Sequence, residues 1–336
     1  MDQLLILDVG HGNASIIESQ GLFAVIDAAP GASLVQTLSK LSVSSIEHVF
    51  ISHADEDHIG GLTAILSSRN LIVKNLHLCP DLKKDGANMR RLQIAVDDSI
   101  SRNNTKLHLQ YASSHASCEF ADIAIYTVAP PGSTAFLGNG GRSTTGVPIT
   151  SNSASAVYSV YHAGHRIALF GGDMDGQSLD FIKANNVAID SDILIFPHHG
   201  GLAGSGTNME EFTQSLIDVV RPKSVIFSIS RNKYSNPLRA VVDTVISSKP
   251  EIKILCTQLS KQCSPESSFN PVLLDEYSKH LTLLPSASQK SNEYCAGSIK
   301  VILQGQNSVI ERRLEHTDFV KSFVDSPMCG LYNSDN

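Results

Sequence analysis

The chain lacks any uninterrupted apolar run approaching bilayer-spanning length, so no helical membrane segment is expected. Its Met1-Asp2-Gln3 start carries no basic residue, no apolar core of signal-peptide length and no small-residue cleavage site, which leads to the expectation of a cytoplasmic protein with no membrane partner. Cysteine is sparse: six in 336 residues, without a secretion signal, read as thiols rather than a disulfide framework. Positive charge is in deficit, with 26 Lys and Arg against 33 Asp and Glu and a net charge of -7. Nonspecific coating of duplex nucleic acid is driven by phosphate neutralisation, so that function class is disfavoured, although a local basic groove remains compatible. Tryptophan is absent, and no internal repeat of fixed period is present.

What is present is ordinary globular composition, 42% hydrophobic and 18% charged, at a length that supports one to two domains with a sizeable core. One stretch stands out, Ile51-Ser52-His53-Ala54-Asp55-Glu56-Asp57-His58-Ile59-Gly60-Gly61. Four side chains able to ligate a metal (His53, Asp55, Asp57, His58) follow the strand-like run Val49-Phe50-Ile51 and precede an apolar-periodic helix around Leu62, Ile65 and Leu66. Two imidazoles and two carboxylates converging there need a cation, because buried uncompensated charge is costly.

Short strands with Gly-rich turns are predicted at Leu4 to Val9, Ala14 to Ile17 and Phe23 to Ile26, the last ending at Asp27. Helical spacing follows over Ala32 to Leu41, and Met89, Leu92, Val96 and Ile100 mark an amphipathic helix carrying Arg90 and Arg91. Pro130 to Ser155 loses periodicity and reads as a long loop, functional or disordered. A hairpin then ends at Gly171-Gly172-Asp173, a strand over Asp192 to Phe196 ends in Pro197-His198-His199-Gly200-Gly201, and Pro237 to Ile246 reads as a helix with Asn236 as its cap. His162 and His165 read as surface residues of the hairpin turn.

Set together, Asp27, the His53 to His58 motif, Asp173 and His198-His199 all fall at predicted strand ends drawn from both halves of the chain. This arrangement resembles the metallo-β-lactamase superfamily, and more specifically the hydrolase domain of bacterial competence DNA-uptake proteins. The likeness is carried by Leu7 to Gly12, the Asp-containing ligand motif followed by Ile-Gly-Gly, Asn152-Ser153-Ala154-Ser155, Gly172-Asp173 and Pro197 to Gly200, and it spans about residues 4 to 245. The resemblance implies an αββα sandwich of two facing mixed sheets with outer helices. Beyond that span, closing strands are expected over Lys253 to Cys256 and Ser298 to Leu303 around a Ser-rich, weakly patterned insert. The expected hydrolase domain therefore covers residues 1–305, in halves of about 1–155 and 156–305 with a Cys-containing insert at about 257–297, followed by an edge segment and tail at 306–336.

The same likeness implies two divalent ions, zinc or manganese with magnesium as a further candidate; Asp55, standing where most of the superfamily has His, shifts the first site toward oxygen donors. His53 and Asp55 would hold one ion and Asp57 and His58 the other, with Asp173 bridging and His198 completing the second. Neighbouring residues point apart, so His199 is then expected as a proton donor or phosphate contact. Asp57, Asp173 and His199 are the expected catalytic groups, with Asp27 orienting the ligand loop from behind.

Asn152 is read as organising its loop, the alternative being a ligand. His11 is read as a loop residue near the cleft, and His11, Arg90 and Arg91 are the candidate substrate contacts. Where the competence proteins have Tyr-Gly-His-Pro, this chain has Tyr234-Ser235-Asn236-Pro237, and its early turn ends in Asn13 rather than Asp. The expected activity is phosphodiester hydrolysis by a metal-activated hydroxide, with DNA or RNA as candidate substrates. A small-molecule esterase or phosphodiesterase, and a degenerate nucleotide- or protein-binding module motivated by Asn236, are the alternatives. Cys256, Cys263 and Cys295 read as separate thiols, with a small zinc site including His280 as the competing reading.

Overall fold

The central strands are apolar on both faces, and the fold gives the reason: both sheets are covered on each side there, whereas the edge strand Lys106–Leu109 is exposed. A computed structural model of the chain describes residues 1–79, 81, 86–143, 146–204, 206–264, 284–290, 293, 295–311, 313–324 and 326–329. Three strands open it, β1 (Gln3–Ile6), β2 (Ala14–Ser19) and β3 (Leu22–Ala28), followed by α1 (Ser33–Lys40), β4 (Ser45–Ile51), α2 (Glu56–Ile59), α3 (Leu62–Ser67), β5 (Ile72–Leu78), α4 (Ala87–Asn103) and β6 (Lys106–Leu109). A second series comprises β7 (Cys118–Phe120), β8 (Ile123–Ala129), α5 (Gly132–Leu137), β9 (Val157–His162), β10 (His165–Phe170), α6 (Gly176–Ala184), β11 (Ile193–Ile195), α7 (Met209–Val220), β12 (Ser224–Phe227), α8 (Arg239–Ser248) and β13 (Lys253–Cys256). After the segment that includes the undescribed residues 265–283 come β14 (Ile299–Ile302), β15 (Val309–Ile310) and α9 (Arg313–Phe323).

These strands form an eight-stranded sheet, β15-β14-β1-β2-β3-β4-β5-β6, and a seven-stranded sheet, β13-β12-β11-β10-β9-β8-β7. Leu4, Ile6, Ile17 and Ile26 point into the core between the sheets, against Tyr158, Val160 and Phe170 of the other sheet. Their neighbours Leu5, Ile16 and Val25 point the opposite way, onto Leu34, Leu38 and Leu62 of the helices on the first sheet. Leu169, Leu194 and Val225 likewise meet Leu179, Leu216 and Val241 of the helices on the second. Period-two alternation between two dry cores thus builds the expected αββα sandwich, each fully buried aliphatic or aromatic side chain contributing roughly 1.5–3 kcal/mol.

The sheets are mixed. β3 to β6 run parallel, as do β10 to β13, while β1, β2, β8 and β9 pair antiparallel. The C-terminal ends of the two parallel sets meet at one edge of the sandwich, where chain leaving β4, β10 and β11 carries polar side chains into a cleft.

β14 lies within the closing strand expected over Ser298 to Leu303 and, with β15, joins the first sheet; β7, too short to show a pattern, belongs to the second. Several local expectations are corrected. The stretch read as a tail contains α9, with Phe319, Val320, Val324 and Met328 buried in the second core. α8 starts at Arg239, not Pro237, because the Leu238 amide donates to the Gly200 carbonyl (2.9 Å) and holds that residue in an extended conformation. Asn236 therefore does not cap it. His162, read as a surface residue, is buried and pairs with Asp2 (3.0 Å), while its Nδ1 accepts from the Gly305 amide. No helix among the described residues is long and apolar enough to cross a membrane.

A polar bridge joins the two sheets away from the cleft. Buried His77 of β5 stacks on Phe50 (4.0 Å between ring centroids) and accepts at Nδ1 from Gln110 Nε2 (3.0 Å), whose Oε1 accepts from Thr127 of β8 (2.5 Å). Its Nε2–H then donates to His48 Nδ1 (2.9 Å), so the neutral ring satisfies the network and a second proton on it would not. Burial, reinforced by the neighbouring histidines, pushes the His77 pKa down to about 2, and burial lowers that of His48 to about 4. Because the unfolded chain takes up protons below about pH 6.5 and these folded rings do not, their contribution is complete above that pH and falls on acidification by up to about 1.4 kcal/mol per pH unit per histidine. Urea melts between pH 7 and pH 5 should show this slope, and His77→Asn should flatten it; an unchanged slope in the variant would refute the assignment.

Candidate metal centre

The loop after β4 is fixed from behind before it presents any ligand. Asp27, in a left-handed conformation (φ 57°) near the end of β3, accepts the Ser52 amide (2.7 Å), the Ser52 hydroxyl (2.9 Å) and His58 Nδ1–H (2.8 Å). Charge-assisted bonds of this kind contribute about 1.5–3 kcal/mol each, enough to hold a buried carboxylate in a fixed place. The Ser52 hydroxyl, its proton directed to Asp27, in turn accepts from His53 Nδ1 (3.1 Å). Ser155 adds a second clamp, accepting the Asp173 amide (2.9 Å) and lying 3.4 Å from His53 Nδ1.

With their Nδ1 atoms tied back, His53 and His58 aim Nε2 at Asp173, at 3.5 Å from Oδ2 and 3.3 Å from Oδ1 respectively. His53 Nε2 is also 3.5 Å from Asp55 Oδ2, and His198 Nδ1 is 3.3 Å from Asp173 Oδ2. A second group lies beside the first: His11 Nε2 and His199 Nε2 stand 2.9 and 3.3 Å from Asp57 Oδ2. His199 Nδ1 donates to the Ser228 carbonyl (2.8 Å), so its Nε2 also faces inward. The rings of His58 and His199, one from each group, are 5.3 Å apart.

The donors therefore divide into His53, His58, Asp173 and His11, Asp57, His199, which differs from the expected pairing of Asp57 with His58. The expectation that His198 and His199 point apart is also corrected. Both residues are left-handed (φ 53° and 56°), a conformation uncommon outside glycine, and this twist lets consecutive side chains reach the same cleft. The strain is held by Gly201 N to His198 O (2.7 Å), His198 N to Gly172 O (3.2 Å) and Asn236 Nδ2 to His198 O (3.4 Å). Asn236 thus supports the histidine turn through its backbone.

Of the remaining predicted residues, Asn152 is half-buried and its carbonyl accepts the Ser155 amide (3.1 Å) in the turn that delivers Ser155. Arg91 lines a groove of about 550 Å³ that runs between α2 and α4 and reaches Asp55, whereas Arg90 is exposed and does not line it. His11, read as a loop residue, is brought into contact with Asp57. Ser155 belongs to the Asn-x-x-Ser motif of the resemblance, which gives it no role. Ser52 and Ser228 do not stand out in the sequence, because serines near strand ends carry no signal of their own, and only the distances to the histidines identify what these three do.

The site's electrostatics demand a positive centre. A neutral imidazole whose Nδ1 donates has only a lone pair at Nε2, so at His53, His58 and His199 an acceptor faces a carboxylate oxygen. His53 Nε2, His58 Nε2, Asp173 Oδ1 and His198 Nε2 are buried without a hydrogen-bond partner. Divalent cations fit this donor set directly. Without one, a proton takes its place: burial opposes charge on His58, but Asp173 and Asp27 outweigh it and raise its pKa well above the usual value. Asp173, which burial alone would push up, is held well below the carboxylate range by His58, His53 and His198. Hydrogen bonds from His11 and His199 likewise overcome burial and keep Asp57 ionised, while burial lowers the pKa of His199.

No curated protein sequence gives a significant match to the chain. Similar solved structures include Igni18, a metallo hydrolase from Ignicoccus hospitalis (16% identity, covering 76% of this chain and 94% of that one, TM-score 0.45). Zn(2+)-bound PqqB from Methylobacterium extorquens is 12% identical over 76% of this chain and 97% of that one (TM-score 0.49), and the short form of human tRNase Z is 13% identical over 69% and 94% (TM-score 0.42). Sequence supplies the family where these distant likenesses do not: residues 7–226 match the Metallo-beta-lactamase superfamily, and the chain belongs to it.

Proposed function

We propose that the protein is a phosphodiester hydrolase that works with two divalent ions, zinc or manganese in the first instance, and takes single-stranded nucleic acid or short oligonucleotides. The observation that carries the hydrolase reading is the convergence of three imidazole lone pairs on Asp57 and Asp173 in two adjacent groups. Bound there, such ions would polarise a phosphoryl oxygen and lower the pKa of a water, the chemistry a phosphodiester requires. The chain's own residues supply the rest: Asp57 stays ionised, Asp27 and Ser52 fix the loop, and the His198-His199 turn offers a buried Nε2 facing the cleft.

The nucleic-acid reading is supported by the likeness of the ligand motifs to the competence DNA-uptake branch and by the rim of the site. Tyr234 is exposed, its ring 4.8 Å from that of His11, and Lys233 Nζ lies 5.1 Å from the Tyr234 centroid. An exposed aromatic beside a cation and next to the metal-competent cluster suits stacking of a base while its phosphate enters the cleft.

Purified protein should be assayed with manganese, magnesium or zinc on single- and double-stranded DNA, RNA and bis(p-nitrophenyl) phosphate, with Asp57→Ala as the control. Tyr234→Ala should raise KM for the strand roughly tenfold, as expected for loss of one stacked base, and leave the small diester unchanged. Cleavage of the small diester alone would favour a small-molecule phosphodiesterase. Cleavage that survives Asp57→Ala would refute the two-ion mechanism.

A further inference from the structure

The cysteines singled out in the sequence meet a fourth thiol and an imidazole in the fold. Cys256 ends β13, Cys263 lies in the turn that follows, Cys295 precedes β14, His316 is on α9 and Cys329 follows that helix. These five line a cavity of about 20 Å³, room for a single ion or water, whose other walls include Val242, Ile254, Leu259 and Met328. Cys295 Sγ is 3.2 Å from His316 Nε2, and backbone bonds from Ala296 N to Cys256 O (2.8 Å) and Cys295 N to Thr257 O (3.3 Å) hold Cys256 and Cys295 on adjacent segments. Cys256, Cys263, Cys295 and His316 are all buried, and no disulfide joins any of the cysteines. His280, considered for such a site from sequence, lies outside the described residues.

We propose that this cluster is a second, structural metal site for a soft divalent cation, zinc by its donor chemistry, with Cys256, Cys263 and Cys295 as thiolates and His316 Nε2 as the fourth ligand. Three sulfurs and one imidazole are a tetrahedral zinc set, with zinc–sulfur bonds near ~2.3 Å. The three thiol protons leave to solvent as the ion enters, and the bound site carries one net negative charge. Buried Arg231, whose guanidinium donates to Leu259 O (3.0 Å) and Ser264 O (2.6 Å), is a nearby positive charge that partly offsets it.

Empty, the cluster is neutral: burial pushes the Cys256 and Cys295 thiols well up and lowers the His316 pKa to about 4. No three of these donors lie within 4.8 Å of one another, unlike the histidine–aspartate groups of the cleft, so binding an ion would draw them together. The ion would tie α9 to the end of the second sheet, in a cavity that Pro237 and Ser260 also line.

The two sites separate spectroscopically because the donor groups of the cleft contain no sulfur. Full-length protein stripped of metal and refilled with cobalt(II) should show thiolate-to-cobalt charge transfer in the near ultraviolet. Asp57→Ala should retain that band and Cys295→Ser should lose it. X-ray absorption at the zinc edge of the unaltered protein, which needs no variant, should show sulfur neighbours. Cobalt binding with no sulfur charge transfer, a zinc spectrum with nitrogen and oxygen neighbours alone, or a disulfide among these cysteines in the purified native protein would overturn the proposal.

Discussion

Asp173→Ala is expected to reduce the proposed diester hydrolysis by about a thousandfold or more, corresponding to about 4 kcal/mol of lost transition-state stabilisation. The carboxylate sits within 3.3–3.5 Å of ring nitrogens of His53, His58 and His198, so its removal takes the shared counter-charge from three buried imidazoles at once. Metal content per chain should fall in parallel, and kcat should suffer more than KM because Tyr234, proposed above as the substrate contact at the rim, is untouched. Asp173→Asn keeps the size but not the charge and should lose nearly as much. Activity of Asp173→Ala within tenfold of the parent, at saturating metal, would remove Asp173 from the centre of the mechanism.

Gly12→Ala should be the most damaging small substitution outside the ligands. Gly12 has φ +128°, and a Cβ there would stand 2.2 Å from the Asp57 carbonyl oxygen and 2.7 Å from Ala29 Cβ. The position joins three parts of the site. His11 precedes it, the Asn13 amide donates to Asp57 O (3.0 Å), and its own carbonyl accepts from Ser228 (2.7 Å), whose carbonyl in turn holds His199. Backbone strain and overpacking each cost about 1–3 kcal/mol, so a combined loss of roughly 3 kcal/mol or more is expected, with hydrolysis falling because His11 and Asp57 separate.

Gly21 is the matched control. It also has positive φ (+78°) but nothing within 4 Å of an added Cβ, so Gly21→Ala should lower stability by only about 1 kcal/mol and leave turnover intact. Thermal melts and steady-state rates on the two variants measure the difference. Equal effects in both would mean that the close approach at Gly12 is unimportant.

Much of the candidate centre could be read from the chain because its chemistry is locally concentrated. Val49-Phe50-Ile51 predicts a buried strand, and ligating residues packed immediately after it have no purpose on a solvated loop. The same logic marked Asp173 after β10 and the His pair after β11. What pattern could not show was direction. Whether His198 and His199 diverge or converge depends on two left-handed backbone conformations, which Gly200 and the contacts of Asn236 and Leu238 hold in place. His11 looked like a turn residue because the partner that gives it meaning, Asp57, is supplied by a loop 46 positions away.

The cysteines make the same point in the second core. Their spacing of six residues between Cys256 and Cys263 argued against a finger-like site, and His316 on α9 carried no signal linking it to them. Only the docking of α9, driven by burial of Phe319 and Val320, brings the imidazole within 3.2 Å of Cys295.

Strand periodicity and strand-end chemistry are properties of short windows of chain, so the sequence by itself marked most strands and the candidate donors that follow them, while the two-sheet architecture was implied by the family resemblance those motifs carry. The tertiary structure decided which donors share an oxygen, which way each imidazole faces and which thiols meet. Those depend on the sign of φ at a few residues and on contacts across hundreds of positions, and no local pattern encodes either.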